Sequence, residues 1–198
     1  MSWTIEGSVD QADISALGNE IKAAQEAHII MVCSFSDQGN NSSLENSFPG
    51  AWKPACWTIG AATTMGDACT WVDREKVDFL FPGEQIVVDQ KSSRVANAST
   101  GAGNLAAPTA AKAENGSSIS TALAAGTVAM LLFLTQLVHP EFYKRLKQPE
   151  RMKAALEKHC NRKYFRAQDL FDLHFSDARW DWELEEGKKQ VRILVRTL

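Results

Sequence analysis

The run Ile29-Ile-Met-Val-Cys33 is apolar at every position and only a strand's length. Such unbroken runs suit a parallel strand covered on both faces. Asp10 to Ala27 alternates differently: Ile14, Leu17, Ile21 and Ala24 recur at helical spacing, with polar residues between them. This periodicity predicts a helix with one buried face, with Asp13 or Ser15 capping an inner start. Ser2 to Ile5 reads as a short strand, so the chain would begin inside a strand and lack an upstream partner. Strand, helix and strand at this spacing make a βαβ unit with a right-handed crossover. Cys56-Trp-Thr-Ile-Gly-Ala61 predicts a further strand, and Val77 to Phe81 and Gln85 to Val88 predict shorter ones on either side of Pro82-Gly83.

Residues 89–115 change character: Ser, Ala, Asn, Thr and Gly dominate, and a loop of that length is expected to lack order. The longest apolar run follows, Ala122 to Val138. Gly126, Thr127, Thr135 and Gln136 interrupt it, so it reads as a central, buried helix of a large core rather than a membrane span. After His139 the pattern shifts again. Pro140 starts one helix, Glu150 to Cys160 makes a second, and Gln168 to His174 a third. Lys188 to Leu198 alternates toward a strand, with Val191, Ile193, Leu194 and Val195, while Trp180 and Trp182 cover a small core. The expected class is α/β, a parallel sheet flanked by helices, spanning residues 1–138. A helical extension ending in a strand follows at 139–198.

Composition narrows the function. The 198 residues are 44% apolar and 23% charged, ordinary values for a globular chain. The net charge of −3 speaks against a nucleic-acid partner, because Lys144, Arg145 and Lys147 are flanked by Glu141 and Glu150. Four cysteines show no C-x-x-C spacing, and the first residues form no secretory signal. An intracellular, cytoplasmic location is expected. No His/Cys/Asp/Glu spacing suggests a metal, and no cofactor motif stands in its required context. Gly101-Ala-Gly-Asn-Leu-Ala106 fits a dinucleotide pattern, but it follows no strand, and Pro108 interrupts any helix.

Candidate chemistry lies in Gly116-Ser-Ser-Ile-Ser-Thr-Ala-Leu-Ala-Ala-Gly126. A small-residue turn opens an apolar helix and places Ser118 at its positive end, where developing negative charge is favoured. The same residues also fit an ordinary serine N-cap.

This segment resembles the nucleophile motif of the subtilisin-like serine peptidases, Gly-Thr-Ser-Met-Ala-x-Pro-His-Val-Ala-Gly. Gly116 takes the first Gly, Ser118 the nucleophile, and Ala125-Gly126 the closing pair. Ala122 and Leu123 replace the Pro and His, and the form is similar to that of fungal-type intracellular subtilases. Further stretches agree in order. Phe48-Pro-Gly with Pro54 to Ala62, Phe81-Pro-Gly-Glu-Gln-Ile86 and Met1-Ser-Trp-Thr4 each resemble a subtilase segment. The resemblance covers residues 1–137 and implies a subtilisin-like sheet. It also implies a substrate cleft lined by Ser2, Trp3 and Thr4 with Ser34, Phe35 and Ser36.

Two departures bear on activity. In Ser34-Phe-Ser-Asp-Gln-Gly39, Asp37 stands where the family carries its oxyanion Asn. An ionised Asp accepts hydrogen bonds and cannot donate one to an oxyanion, and losing one such donor costs about 10²–10³ in turnover. Neither Asp-[Ser/Thr]-Gly nor His-Gly-Thr, the segments of the family's catalytic Asp and His, occurs in the chain. None of His28, His139, His159 and His174 precedes a Gly. The resemblance thus implies the C-terminal half of a serine endopeptidase domain acting on peptide or protein substrates. That half would be inactive alone and completed by an upstream or separate segment bearing Asp and His. The alternative is a pseudoprotease that binds peptides without cleaving them.

Overall fold

The computed structural model of the chain describes residues 1–5, 10–41, 43–87, 113–166 and 185–198. Helix α1 (Gln11–Glu26) is capped by Asp10, whose Oδ1 accepts from the Ala12 N–H at 2.8 Å. The cap is Asp10 rather than Asp13 or Ser15, since Ser15 already lies inside the helix and donates back to the Gln11 carbonyl. Strand β1 (Met31–Ser34) pairs in parallel with β2 (Cys56–Ala62), and β2 with β3 (Phe79–Pro82). Every residue of β1 and β2 is buried, as the unbroken apolar runs require.

Ser2 to Ile5 does not form the regular strand expected of it. Met1 lies beside β1, its N-terminal amine donating to the Val32 carbonyl and its own carbonyl accepting from the Ser34 N–H. Ile5 then turns away to bridge Phe48 across the following loop. Pairing with two different neighbours breaks the ladder. The small strands β4 (Ile86–Val87) and β5 (Ala113–Glu114) form a separate antiparallel pair, so the end of the 89–115 stretch is a strand rather than a loop. Residues 89–112 lie outside the described residues. So do the helix expected at 168–174 and Trp180 with Trp182.

Helix α2 (Ser117–Val138) crosses the sheet and is followed by α3 (Pro140–Leu146) and α4 (Pro149–Lys158). A hairpin of β6 (Cys160–Asn161) and β7 (Tyr164–Phe165) then adds β7 in parallel to β3, giving the order β1-β2-β3-β7-β6. The C-terminus is a helix, α5 (Glu185–Thr197), and not the strand that the Val191-Ile193-Val195 alternation suggested. Val191, Leu194, Val195 and Leu198 are the buried set, and their spacing of three and four is helical. They join Met152, Leu156 and Phe165 and the inner face of α2 in the largest core cluster.

Two layers sandwich the sheet. Val32, Trp57, Ile59, Phe79 and Phe81 face α2. On the opposite side Met31, Cys33 and Cys56 meet Ile21 of α1, while Leu80 packs with Phe35, Val72, Val77 and Tyr164. The architecture is α/β, a mostly parallel sheet flanked by helices. Helix α2 is central, but it is not buried all round: Ala122, Leu123, Ala125, Ala129, Met130, Phe133 and Leu137 are exposed.

Candidate active site

The Gly116 turn is held against the carboxyl ends of β2 and β3. Gly116 N–H donates to the Gly83 carbonyl at 2.9 Å, and Gly83 N–H donates to the Ala62 carbonyl at 3.0 Å. Ser120 Oγ donates to the Phe81 and Pro82 carbonyls at 3.0 and 3.1 Å. A Cβ on Gly83 would come within 2.7 Å of the Ala61 methyl, so the Phe-Pro-Gly turn needs its glycine for this close approach. Gly116 has φ +135°, a conformation glycine tolerates, and a Cβ there would stand 3.2 Å from an Asp37 oxygen.

Two adjacent serines then diverge. Ser117 is buried. Its Oγ donates to Asp37 Oδ1 at 2.6 Å and accepts from the Ala61 N–H at 3.0 Å, and its N–H donates to Asp37 Oδ2 at 3.1 Å. Asp37 therefore caps the N-terminus of α2 from a distant loop, a favourable place for a carboxylate. Ser118, one residue on, is exposed, and its Oγ donates to the Ser2 carbonyl at 2.7 Å.

Ser118 opens on a shallow cavity of about 340 Å³ lined by Thr4, Ser34, Phe35, Ser36, Asp37 and Gln38. Most of the residues singled out from the sequence are thus brought together. Thr4 Oγ1 donates to the Ser34 carbonyl at 2.8 Å, joining the N-terminal segment to the end of β1. Ser2 reaches the site through its carbonyl, and Trp3 is exposed without lining the cavity. Asp37 lines the cavity, and its carboxylate oxygens accept from the Ser117 N–H and hydroxyl.

Ser117 and Gln38 were missed by sequence reasoning. Ser117 had a signal, since a second hydroxyl directly before the candidate nucleophile needs a partner once buried. Gln38 had none beyond its place after Asp37.

No base reaches Ser118 among the described histidines. His139 caps α3 at the far end of α2, its Nδ1 accepting from the Phe142 N–H, about 30 Å along the helix from Ser118. His159 Nε2 contacts the Thr197 carbonyl. His28 lines a different groove, with Val32, Ala125 and Tyr143. His174 lies outside the described residues.

The Subtilase family profile matches residues 1–175, beyond the 1–137 over which motifs were recognisable. No curated protein sequence matches the chain. Among solved structures, the prenylagaramide maturation protease PagA superposes with a TM-score of 0.54 at 20% identity, covering 84% of this chain and 57% of its own. The PatG macrocyclase, solved in complex with a peptide, gives 0.51 at 23% identity, with coverages of 73% and 40%. A lanthipeptide protease gives 0.55 at 14%, with 81% and 52%. The chain thus spans about half the length of these relatives. With the profile running through nearly the whole sequence, and the Ser118 turn held at the carboxyl ends of a parallel sheet, the chain belongs to the subtilase (peptidase S8) family.

Proposed function

We propose that this chain is the nucleophile-bearing, C-terminal half of a fungal-type subtilase domain, and that the complete protein cleaves peptide bonds in peptide or protein substrates. One observation carries the reading: Ser118 is exposed on the first turn of α2, at the mouth of the cavity lined by Thr4 and Ser34 to Gln38. Ser118 Oγ attacks the scissile carbonyl. The N-terminal end of α2 stabilises the developing oxyanion through its dipole. An extended substrate lies between the Ser2–Thr4 and Ser34–Ser36 backbones.

The resting hydroxyl donates to the Ser2 carbonyl. A carbonyl is no base, so Ser118 keeps the high pKa of an alcohol and is a poor nucleophile by itself. A segment supplying His and Asp has to take over that proton. The protein is proposed to act inside the cell; Cys33, Cys56, Cys69 and Cys160 are all free thiols, and the first three are buried.

A second reading, a peptide-binding module without turnover, draws support from Asp37. Its carboxylate is already engaged by Ser117 and offers no hydrogen to an oxyanion. Purified native protein carrying this sequence is incubated with casein, beside its Ser118→Ala variant. Cleavage that vanishes in the variant supports the peptidase. Equal binding and no cleavage by both supports the binding module.

A further inference from the structure

Asn115-Gly116 is the only Asn-Gly pair in the sequence, and it stands directly before the two serines that open α2. A glycine after an asparagine leaves its backbone nitrogen unhindered, so that nitrogen can close on the asparagine carboxamide. The structure presents the carboxamide for this. Asn115 is exposed, and its Oδ1 accepts from the Gln85 N–H at 2.5 Å. Gln85 makes this bond from a left-handed φ of +53°. Such a conformation at a non-glycine residue persists where its surroundings enforce it. Here the pairing of Ile86 with Glu114, the next residue on either side, holds both partners in place.

An N–H aimed at Oδ1 stabilises the negative charge that grows on that oxygen when a nucleophile adds to Cγ. Nδ2 has no hydrogen-bond partner among the described residues, so nothing retains it as a leaving group. One contact opposes the reaction. The Gly116 N–H donates to the Gly83 carbonyl at 2.9 Å and must release it before its nitrogen can attack.

We infer that Asn115 is a self-modification site, which converts to isoaspartate through a cyclic imide with Gly116 and so dislodges the turn that carries Ser118. The Gly116 nitrogen bonds to Asn115 Cγ, and the Cγ–Nδ2 bond breaks. The departing NH₂ takes the Gly116 proton and leaves as ammonia. Water then opens the imide. Opening at Cγ gives aspartate, which keeps an oxygen for the Gln85 N–H and adds charge at the favourable end of α2. Opening at the main-chain carbonyl gives isoaspartate, whose backbone runs through Cβ and Cγ and is one methylene longer. The longer chain pulls Gly116 from Gly83, and with it the bonds from Ser117 to Asp37 that fix the first turn of α2. This consequence is the same whether or not Ser118 is completed as a nucleophile.

The test ages purified native protein carrying this sequence at mildly alkaline pH, beside its Asn115→Gln and freshly made Asn115→Asp variants. Peptide sequencing by electron-transfer fragmentation, which separates isoaspartate from aspartate, follows each asparagine. Asn19 and Asn161, both exposed and followed by Glu20 and Arg162, are the internal controls. The expected result is isoaspartate and aspartate at position 115 while both controls remain intact. The melting temperature of the parent is expected to fall as isoaspartate accumulates. Aged Asn115→Gln is expected to keep its own starting value, and fresh Asn115→Asp to melt like fresh parent. Asn115 intact after Asn19 or Asn161 has converted overturns the inference. So does isoaspartate at 115 with an unchanged melting temperature, because the turn would then tolerate the longer backbone.

Discussion

Asp37 and Ser117 lie 80 positions apart, and three hydrogen bonds join them, two from the Ser117 N–H and one from its hydroxyl. The loop after β1 is thereby fixed to the first turn of α2, and Ser118 is left as the outward-facing member of the serine pair. Removing the carboxylate strips α2 of its cap. Asp37→Ala is expected to destabilise the chain by about 1–2 kcal/mol, the usual cost of losing a carboxylate cap, measured as a lower urea midpoint with unchanged m-value.

Asp37→Asn separates the two roles of this position. An amide keeps one acceptor for Ser117 but loses the charge, so a small loss of stability is expected. Its NH₂ group gives the cavity a donor that the carboxylate lacks. In the complete enzyme the rate of acylation at Ser118 is expected to rise, by up to about 10². A fall in rate would place the oxyanion elsewhere. Stopped-flow acylation with an activated ester resolves the direction.

Leu131 and Phe133 are two residues apart on α2 and point in opposite senses, one fully buried and one largely exposed. Leu131→Ala opens a cavity in the main core and is expected to cost about 2–5 kcal/mol. Phe133→Ala in this chain alone is expected to change stability by no more than about 0.5 kcal/mol. Thermal melts of the two variants check the contrast.

Gly126→Ala replaces a mid-helix glycine where a methyl group has open space. The isolated chain is expected to gain about 0.8–1 kcal/mol, seen as a higher melting temperature. No gain would mean that the helix is already distorted at this point.

Asp78 stabilises the base of β3. Burial pushes its carboxyl up, but the Thr58 N–H and the Lys153 and Lys53 ammonium groups outweigh burial and hold it below its usual value. A carboxylate depressed in the folded state contributes stability above its unfolded pKa of about 3.9, and loses it as pH falls through the folded value. Acid unfolding below about pH 4 is therefore expected to be shallower in Asp78→Asn than in the parent. The variant is less stable near neutrality by about 1–3 kcal/mol, because the amide keeps one acceptor oxygen but loses the charge and the second oxygen that Thr58, Lys53 and Lys153 share. The half-exposed lysine ends keep the effect at the lower part of that range.

Much of this molecule was legible in its residues. β1 and β2 announced themselves as apolar runs because both faces of a central parallel strand are covered. The turn at Gly116 was legible because small residues there admit the close backbone contacts later seen with Gly83 and Asp37. Two features misled. In α5, Val191, Ile193 and Val195 alternate like a strand, yet Leu194 and Leu198 complete a helical stripe; a short segment supports both periods until packing on Met152 and Leu156 selects one. In α2, apolarity on every side suggested complete burial, although the sequence says only that each side is apolar and not what covers it. The Asp37–Ser117 link was out of reach, since nothing local to Asp37 reveals a partner 80 positions away.

The most direct measurement is fluorophosphonate labelling of the native protein in its own cells, followed by intact-mass analysis and mapping of the modified residue. The account predicts a single adduct on Ser118, carried by a polypeptide or complex well above the 21.8 kDa of this chain and lost in Ser118→Ala. An unlabelled species of 21.8 kDa with no associated chain, in cells where other serine hydrolases label normally, would contradict it.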